Sequence, residues 1–369
     1  MVSKPRSATS PLRVLVPAGA LAFYGVIQFL GSNAPGAEPG LVISLSILPV
    51  LLATVIAAVF HAEEIAHETG EPYGTLVLTI AVTIIEVALI MSITLSGKGD
   101  PALARDTVFS VIMIVCNGIV GLCRLAGGLQ YLEQDFEVKG ASAYLVVLTA
   151  LSVLTLILPN YTRSSSGPTL SSGQLFFVSI VTLLLYGVFL YIQTVRHREF
   201  FTEVDADPED ATPLGDARLR VLRMPAALLI ASLLAVVLLS KTFAVSVKAG
   251  LAYAGAPAAL SGFLVALLIL LPESVAAFRA ARMNEFQRSI NLALGSSLAT
   301  IGLTVPAVAA ITLYLGHSLV LGLDSQAMVL LYVTLLISTL TFGTGRTNIL
   351  YGFVHLIIFA TYIFLIFEP

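Results

Sequence analysis

Residues 59–90 read VFHAEEIAHETGEPYGTLVLTIAVTIIEVALI. The first third is a helix end crowded with ionisable groups. Gly70, Pro72 and Gly74 then punctuate a short loop. From Gly74 to Leu95 the residues are almost all apolar, enough for the ~20 residues a helix needs to cross a bilayer. One charge interrupts that run. Glu86 stands twelve residues past Gly74. At about 1.5 Å per residue it lies roughly 18 Å deep, near the middle of a hydrocarbon core about 30 Å thick. A carboxylate there costs at least about 2.5 kcal/mol. It must be protonated, bind a cation or share a cavity with water. This stretch predicts an all-α integral membrane protein.

The composition agrees. Of 369 residues, 57% are hydrophobic and only 11% are charged, against about 25% charged in a soluble domain. That excludes a soluble globular protein, a disordered chain and a nucleic-acid binder. Apolar segments long enough to span fall at 12–31, 41–65, 74–95, 106–124, 141–159, 174–195, 223–243, 254–278, 288–316, 326–343 and 347–367. The expectation is eleven transmembrane helices. The run at 12–31 is read as a first span, not a removed signal, because no small-residue cleavage pattern follows it.

The polar break at 197–222 carries an acidic run that includes Glu203, Asp205, Asp207, Glu209 and Asp210. It divides the chain into an N-terminal segment with the first helix (1–40), one five-helix half (41–196) and a second (223–369). With the N-terminus inside, 14 of the 19 Lys and Arg residues face the cytoplasm, Arg124 among them. Positive loops stay inside. The expected topology is N-in and C-out, with the acidic loop in the cytoplasm.

The two halves carry a weak repeat. Val59–Glu86 and Leu239–Glu273 are each a helix end, a Gly-punctuated loop and an apolar helix with one Glu inside the membrane. Each is followed by a helix of small and polar residues, at Ser110–Leu122 and Asn291–Leu303. The first copy enters from the cytoplasm and the second from outside. Inverted repeats with a midplane site are a transporter architecture.

Glu86 and Glu273 are therefore the candidate ion-binding residues. Two carboxylates carry a formal charge of −2, which one Ca²⁺, two Na⁺ or K⁺, or two protons neutralise. Burial disfavours the charged form and a bound cation favours it, so protons and metal compete for the same oxygens. The structural alternative is two carboxylic acids hydrogen-bonded between helices. Thr75, Thr79, Thr83 and Glu86 share one helix face, Ser110, Asn117, Gly121 and Arg124 another, and Ser297, Thr300 and Thr304 a third. Hydroxyl and amide oxygens suit Ca²⁺ and alkali ions. Each hydroxyl can instead bond back to its own helix. Pro272 removes a helical donor just before Glu273 and frees a carbonyl one turn earlier.

HAEEIAHETGEPYGTLVLTIAVTIIEVALI and LPESVAAFRAARMNEFQRSINLALGSSLATIGLTVPA, with the eleven-span layout, resemble the calcium/proton exchanger family over nearly the whole chain. The likeness is to its bacterial sodium-, potassium- and calcium/proton antiporter branch. The resemblance implies that Glu86 and Glu273 bind the ion and carry the proton. It places Asn117 at the polar position after the first repeat helix, and Gly295, Ser296 and Ser297 at the Gly-Ser-Ser of the second. It implies a cytoplasmic acidic regulatory helix where the acidic run lies. Many members have Gly-Asn-Ala ahead of each Glu. Here those positions read Val82-Thr83-Ile84 and Ile269-Leu270-Leu271. Losing two amide ligands weakens strict Ca²⁺ selectivity and favours monovalent transport.

The remaining ionisable groups are weaker signals. His61 and His67 are six apart and diverge on a helix, so they do not make a zinc site. Glu63 and Glu64 are read either as a cation funnel or as a solvated helix end. His355, in the last span, is read as a packing histidine in preference to a proton relay. The acidic run lacks the Gly and Glu of an EF-hand loop. It is a solvated linker or a Ca²⁺-responsive regulator. Cys116 and Cys123 share a helix face but are too far apart to bridge, and are read as small apolar residues. A membrane enzyme would need a nucleophile, metal cluster or phosphate motif, and none is found. A channel would need a continuous polar path. The expectation is a secondary antiporter in the inner membrane, with the lipid bilayer, inorganic cations and protons as its partners and no cofactor.

Overall fold

The computed structural model describes residues 11–33, 41–70, 73–95, 101–201, 216–316 and 318–369. These residues are overwhelmingly helical. Thirteen α-helices run in the order α1 (Pro11–Asn33), α2 (Leu41–Thr69), α3 (Tyr73–Leu95), α4 (Leu103–Met113), α5 (Val120–Tyr131), α6 (Val138–Ser152), α7 (Ser172–Tyr191), α8 (Asp216–Ala254), α9 (Ala259–Arg282), α10 (Phe286–Ala299), α11 (Val305–Leu315), α12 (Ser325–Phe342) and α13 (Ile349–Phe367). Among the described residues the only β contacts are two isolated bridges, Asp135 with Arg346 and Thr169 with Val320.

Local chemistry sets the ends of these helices. Ser171 and Gln174 form a capping box that starts α7. Asp324 and Asn348 cap α12 and α13 through their side chains. Gly316, at φ +70°, ends α11 in the left-handed conformation that glycine reaches without strain.

Several α-helices are joined end to end by π-helical turns. Ile114–Ile119 joins α4 to α5, and Thr300–Thr304 joins α10 to α11. The spanning runs therefore become Leu103–Tyr131 and Phe286–Leu315. Among the described residues, ten helices are long and apolar enough to cross a membrane, and α1 holds a shorter apolar stretch at Val14–Phe29. The apolar runs read from the sequence all fall on these helices.

Two compact units emerge. One comprises Met1–Ser96 with Asp210–Gly250, the other Gly97–Glu209 with Leu251–Pro369. Each takes helices from both halves of the chain. In the first, α2 packs along α3 and against α1. Gly74 sits so close to α2 that a Cβ there would lie 2.5 Å from the Ala66 carbonyl oxygen.

In the second unit, α9 packs on both α4 and α10, and α5 packs on α13. The α5–α13 crossing is a contact of small residues, as is common between membrane helices. A Cβ on Gly121 would lie 2.9 Å from Leu356 and 3.2 Å from the Gly352 carbonyl oxygen. The run Leu103–Tyr131 is the most enclosed of the spans, with 89% of its apolar window buried. Tyr144, Phe189 and Phe201 stack edge-on and tilted in the same core.

Candidate ion-binding site

In the first unit the candidate acid is Glu86, in the middle of α3. It is 1% exposed. Thr83, one turn earlier, is partly buried, and its hydroxyl donates to the Thr79 carbonyl at 2.8 Å. That spends the hydroxyl hydrogen but leaves oxygen lone pairs. Further along α3, Ser92 shares a 2.5 Å hydrogen bond with Ser240 of α8. At the end of α2, His61 is fully buried and faces Glu64 across 3.5 Å. Glu64 is partly buried, whereas Glu63 and His67 are exposed. Among the described residues no three His, Cys, Asp or Glu side chains converge as a metal cluster.

In the second unit the candidate acid is Glu273. α9 runs unbroken from Ala259 to Arg282 despite Pro272 inside it. Glu273 is partly buried, with its Oε2 buried. Its neighbour Ser274 bonds back to the Leu270 carbonyl at 2.5 Å. Ser296 and Ser297 lie on α10, which packs against α9. Ser297 is fully buried and donates to the Leu294 carbonyl at 3.1 Å, while Ser296 is partly buried. Thr300 and Thr304 are buried in the π-helical turn that follows. Irregular turns of this kind displace backbone carbonyls from the regular ladder, and they recur at functional sites.

Asn117 occupies the corresponding turn between α4 and α5 and is fully buried. Its carboxamide is held by Thr334 of α12 and His355 of α13. His355 is fully buried and also meets Thr341. It is thus a hydrogen-bonded core histidine whose partner is a predicted site residue. Sequence pattern could not supply that link, because the two lie in different spans. Cys116 and Cys123 are buried free thiols, as expected.

Arg124, one of the cations that the sequence reading places on the inner side, is 0% exposed within the second unit. Its guanidinium lies 4.3 Å from the Phe342 ring centroid and 5.8 Å from those of Phe136 and Phe286. Cation–π contact and a 3.5 Å approach of Nη1 to the Thr341 carbonyl stand in for a carboxylate partner. The face shared by Asn117, Gly121 and Arg124 was the available signal, since all three are buried. The acidic residues Glu203, Asp205, Asp207, Glu209 and Asp210 lie outside the described residues.

The sodium/calcium exchanger protein family matches residues 39–195 and 224–368. Y4hA of Sinorhizobium fredii, named as an ionic transporter, is 43% identical over 329 residues, covering 89% of each chain. The sodium-potassium/proton antiporter ChaA of Escherichia coli is 38% identical over 348 residues, covering 93% of each. Among solved structures, the native structure of YfkE, elsewhere titled a Ca²⁺/H⁺ antiporter, superposes with a TM-score of 0.71 at 16% identity, covering 97% of this chain and 100% of that one. The H⁺/Ca²⁺ exchanger CAX gives 0.63 at 13% identity, covering 95% and 88%. At these identities the two structures establish a shared fold.

Proposed function

The chain belongs to the sodium/calcium exchanger protein family, a family of secondary transporters and not enzymes, and from that premise we propose that it exchanges Na⁺, K⁺ and Ca²⁺ for H⁺ by alternating access. It is a multi-pass membrane protein and a cation antiporter. We place it in the inner membrane with eleven crossings, the ten long apolar helices and α1, and orient it with the N-terminus inside and the C-terminus outside on the charge count of its loops.

One observation carries the reading. Glu86 is 1% exposed on an apolar spanning helix, and Glu273 repeats its place on α9. An acid at such depth needs a proton or a metal to be neutral. Protons and cations then compete for one set of carboxylate oxygens, and that competition couples the two fluxes. Thr83, Ser296 and Ser297 offer further hard oxygen donors. The cations are cargo, and the mechanism calls for no cofactor. Protons arriving from outside neutralise the acids and release the cation outward. The acidic run modulates this from the cytoplasm.

ChaA's name gives sodium, potassium and protons, and the 23% identical relative from Aphanothece halophytica is named a Ca²⁺/H⁺ antiporter. Those two names bracket the substrates proposed here. The experiment is flux into proteoliposomes with an imposed pH gradient, run with Ca²⁺, Na⁺ and K⁺ in turn. An exchanger accumulates at least one of them uphill. Movement that only follows the cation's own gradient would identify a channel instead.

A further inference from the structure

Asn117 and His355 lie in different spans, on the turn between α4 and α5 and on α13, within one compact unit. Both are 0% exposed. Asn117 Nδ2 donates to Thr334 Oγ1 at 2.8 Å and also approaches Met113 Sδ at 3.8 Å. With the amide hydrogens so used, Oδ1 faces His355 Nδ1 at 3.2 Å. An amide oxygen only accepts, so Nδ1 carries the ring hydrogen. Nε2 is then the acceptor, and Thr341 Oγ1 supplies it at 3.0 Å. The Thr334 hydroxyl passes its own hydrogen toward Met113 Sδ at 3.4 Å. Every polar atom of these two side chains has a partner, and the chain Thr334–Asn117–His355–Thr341 runs from α12 through the π-helical turn to α13 and back to α12.

We propose that Asn117 and His355 are positioning residues for exchange: they form a strut that fastens the π-helical turn of the Leu103–Tyr131 run to α12 and α13, and they set the rate of the conformational step and not the affinity for the cation. The proposal rests on the exchange reading above. Two facts direct it. A ligand to the cation would turn its carboxamide oxygen to the ion, whereas Asn117 Oδ1 accepts from an imidazole N–H. A π-helical turn is also one of the places where helices kink, and such turns recur at functional sites. Alternating access moves bundles as bodies. A turn left slack lets α4 and α5 move separately, and the stroke of one is no longer passed to the other.

The test uses the full chain in proteoliposomes, with pH-gradient-driven Na⁺ uptake normalised to folded protein recovered by size exclusion. Wild type is compared with Asn117→Ala, His355→Leu, His355→Gln and the double variant Asn117→Ala/His355→Leu. Asn117→Ala and His355→Leu each lower the maximal rate roughly tenfold, the scale of one buried hydrogen bond. Half-saturating Na⁺ stays within about twofold, and the double variant is no worse than either single one. His355→Gln keeps an N–H donor and restores at least a third of the rate. Should His355→Leu fail to insert, Thr334→Val and Thr341→Val read the same strut, with rates down two- to threefold. Half-saturating Na⁺ raised fivefold or more at an unchanged rate would make Asn117 a ligand and overturn the proposal. So would effects that multiply in the double variant, or rates per folded molecule equal to wild type. Wild-type vesicles that move none of the three cations would end the exchange reading, and the strut with it. Normal wild-type flux beside unaffected variants would end the strut alone.

Discussion

Glu86 on α3 and Glu273 on α9 are the two candidate acids, and their helices give them different surroundings. α3 is unbroken and encloses Glu86 to 1% exposure. α9 carries Pro272 immediately before a Glu273 that stays partly exposed. The helices themselves are docked alike: Gly74 abuts the Ala66 backbone of α2, and Gly262 abuts the Asp106 backbone of α4. Two helices docked through a glycine thus bury their acids to different extents. Glu86 is enclosed, whereas Glu273 is partly exposed, with its Oε2 buried.

The strongest way to break this comparison is to neutralise each acid in turn. Glu86→Gln and Glu273→Gln keep shape and remove charge, and each is expected to lower exchange at least ~100-fold, the scale of losing an essential proton-transfer group. Size exclusion should show both variants folded. Near-normal flux in either would remove that acid from the site. Next in size is the docking of α9. A Cβ at Gly262 would lie 2.8 Å from the Asp106 Cβ and 2.9 Å from its backbone. Gly262→Ala should cost about 1–3 kcal/mol of overpacking, seen as a lowered melting temperature in detergent.

Pro272 sharpens the contrast between the two helices. An interior proline costs a helix ~3 kcal/mol. Pro272→Ala should therefore melt higher than wild type while exchanging several-fold more slowly, because α9 regains a regular ladder next to Glu273. A faster variant would show that the proline is only tolerated. A subtler probe is Thr83→Asn on the Glu86 side, which offers a longer amide oxygen one turn from the acid. It should shift the ratio of half-saturating Ca²⁺ to Na⁺ toward Ca²⁺ by roughly tenfold, or about 1.4 kcal/mol. A ratio that stays still means that Thr83, whose hydroxyl is bonded to Thr79, does not tune the site. The smallest effect is expected from neutralising Glu203, Asp205, Asp207, Glu209 and Asp210 together. The cation dependence should move while most exchange survives.

The helices were legible because each needed only local information: a run of apolar residues, a glycine or polar break, a cap. The two acids were legible as candidates, because a lone charge in such a run has few bland explanations. The burial of Arg124 was not legible, because a basic residue at the end of an apolar run looks the same whether it is exposed or turns into a box of Phe136, Phe286 and Phe342. That choice is made by partners far along the chain. The π-helical turns at Ile114–Ile119 and Thr300–Thr304 left no pattern to read, since one added residue of register hardly alters an apolar period. The Asn117–His355 bond was hidden for the same reason as any contact between distant spans.

Cation-driven proton release tests the central claim most directly. Detergent-purified protein in weakly buffered solution near neutral pH is titrated with Na⁺ and then Ca²⁺, and the pH is followed. If cations and protons compete for Glu86 and Glu273, wild type releases protons on saturation, while the Glu86→Gln/Glu273→Gln double variant, folded to the same extent, releases none. A double variant that releases as many protons as wild type would contradict the account, because the exchanged protons would then reside elsewhere.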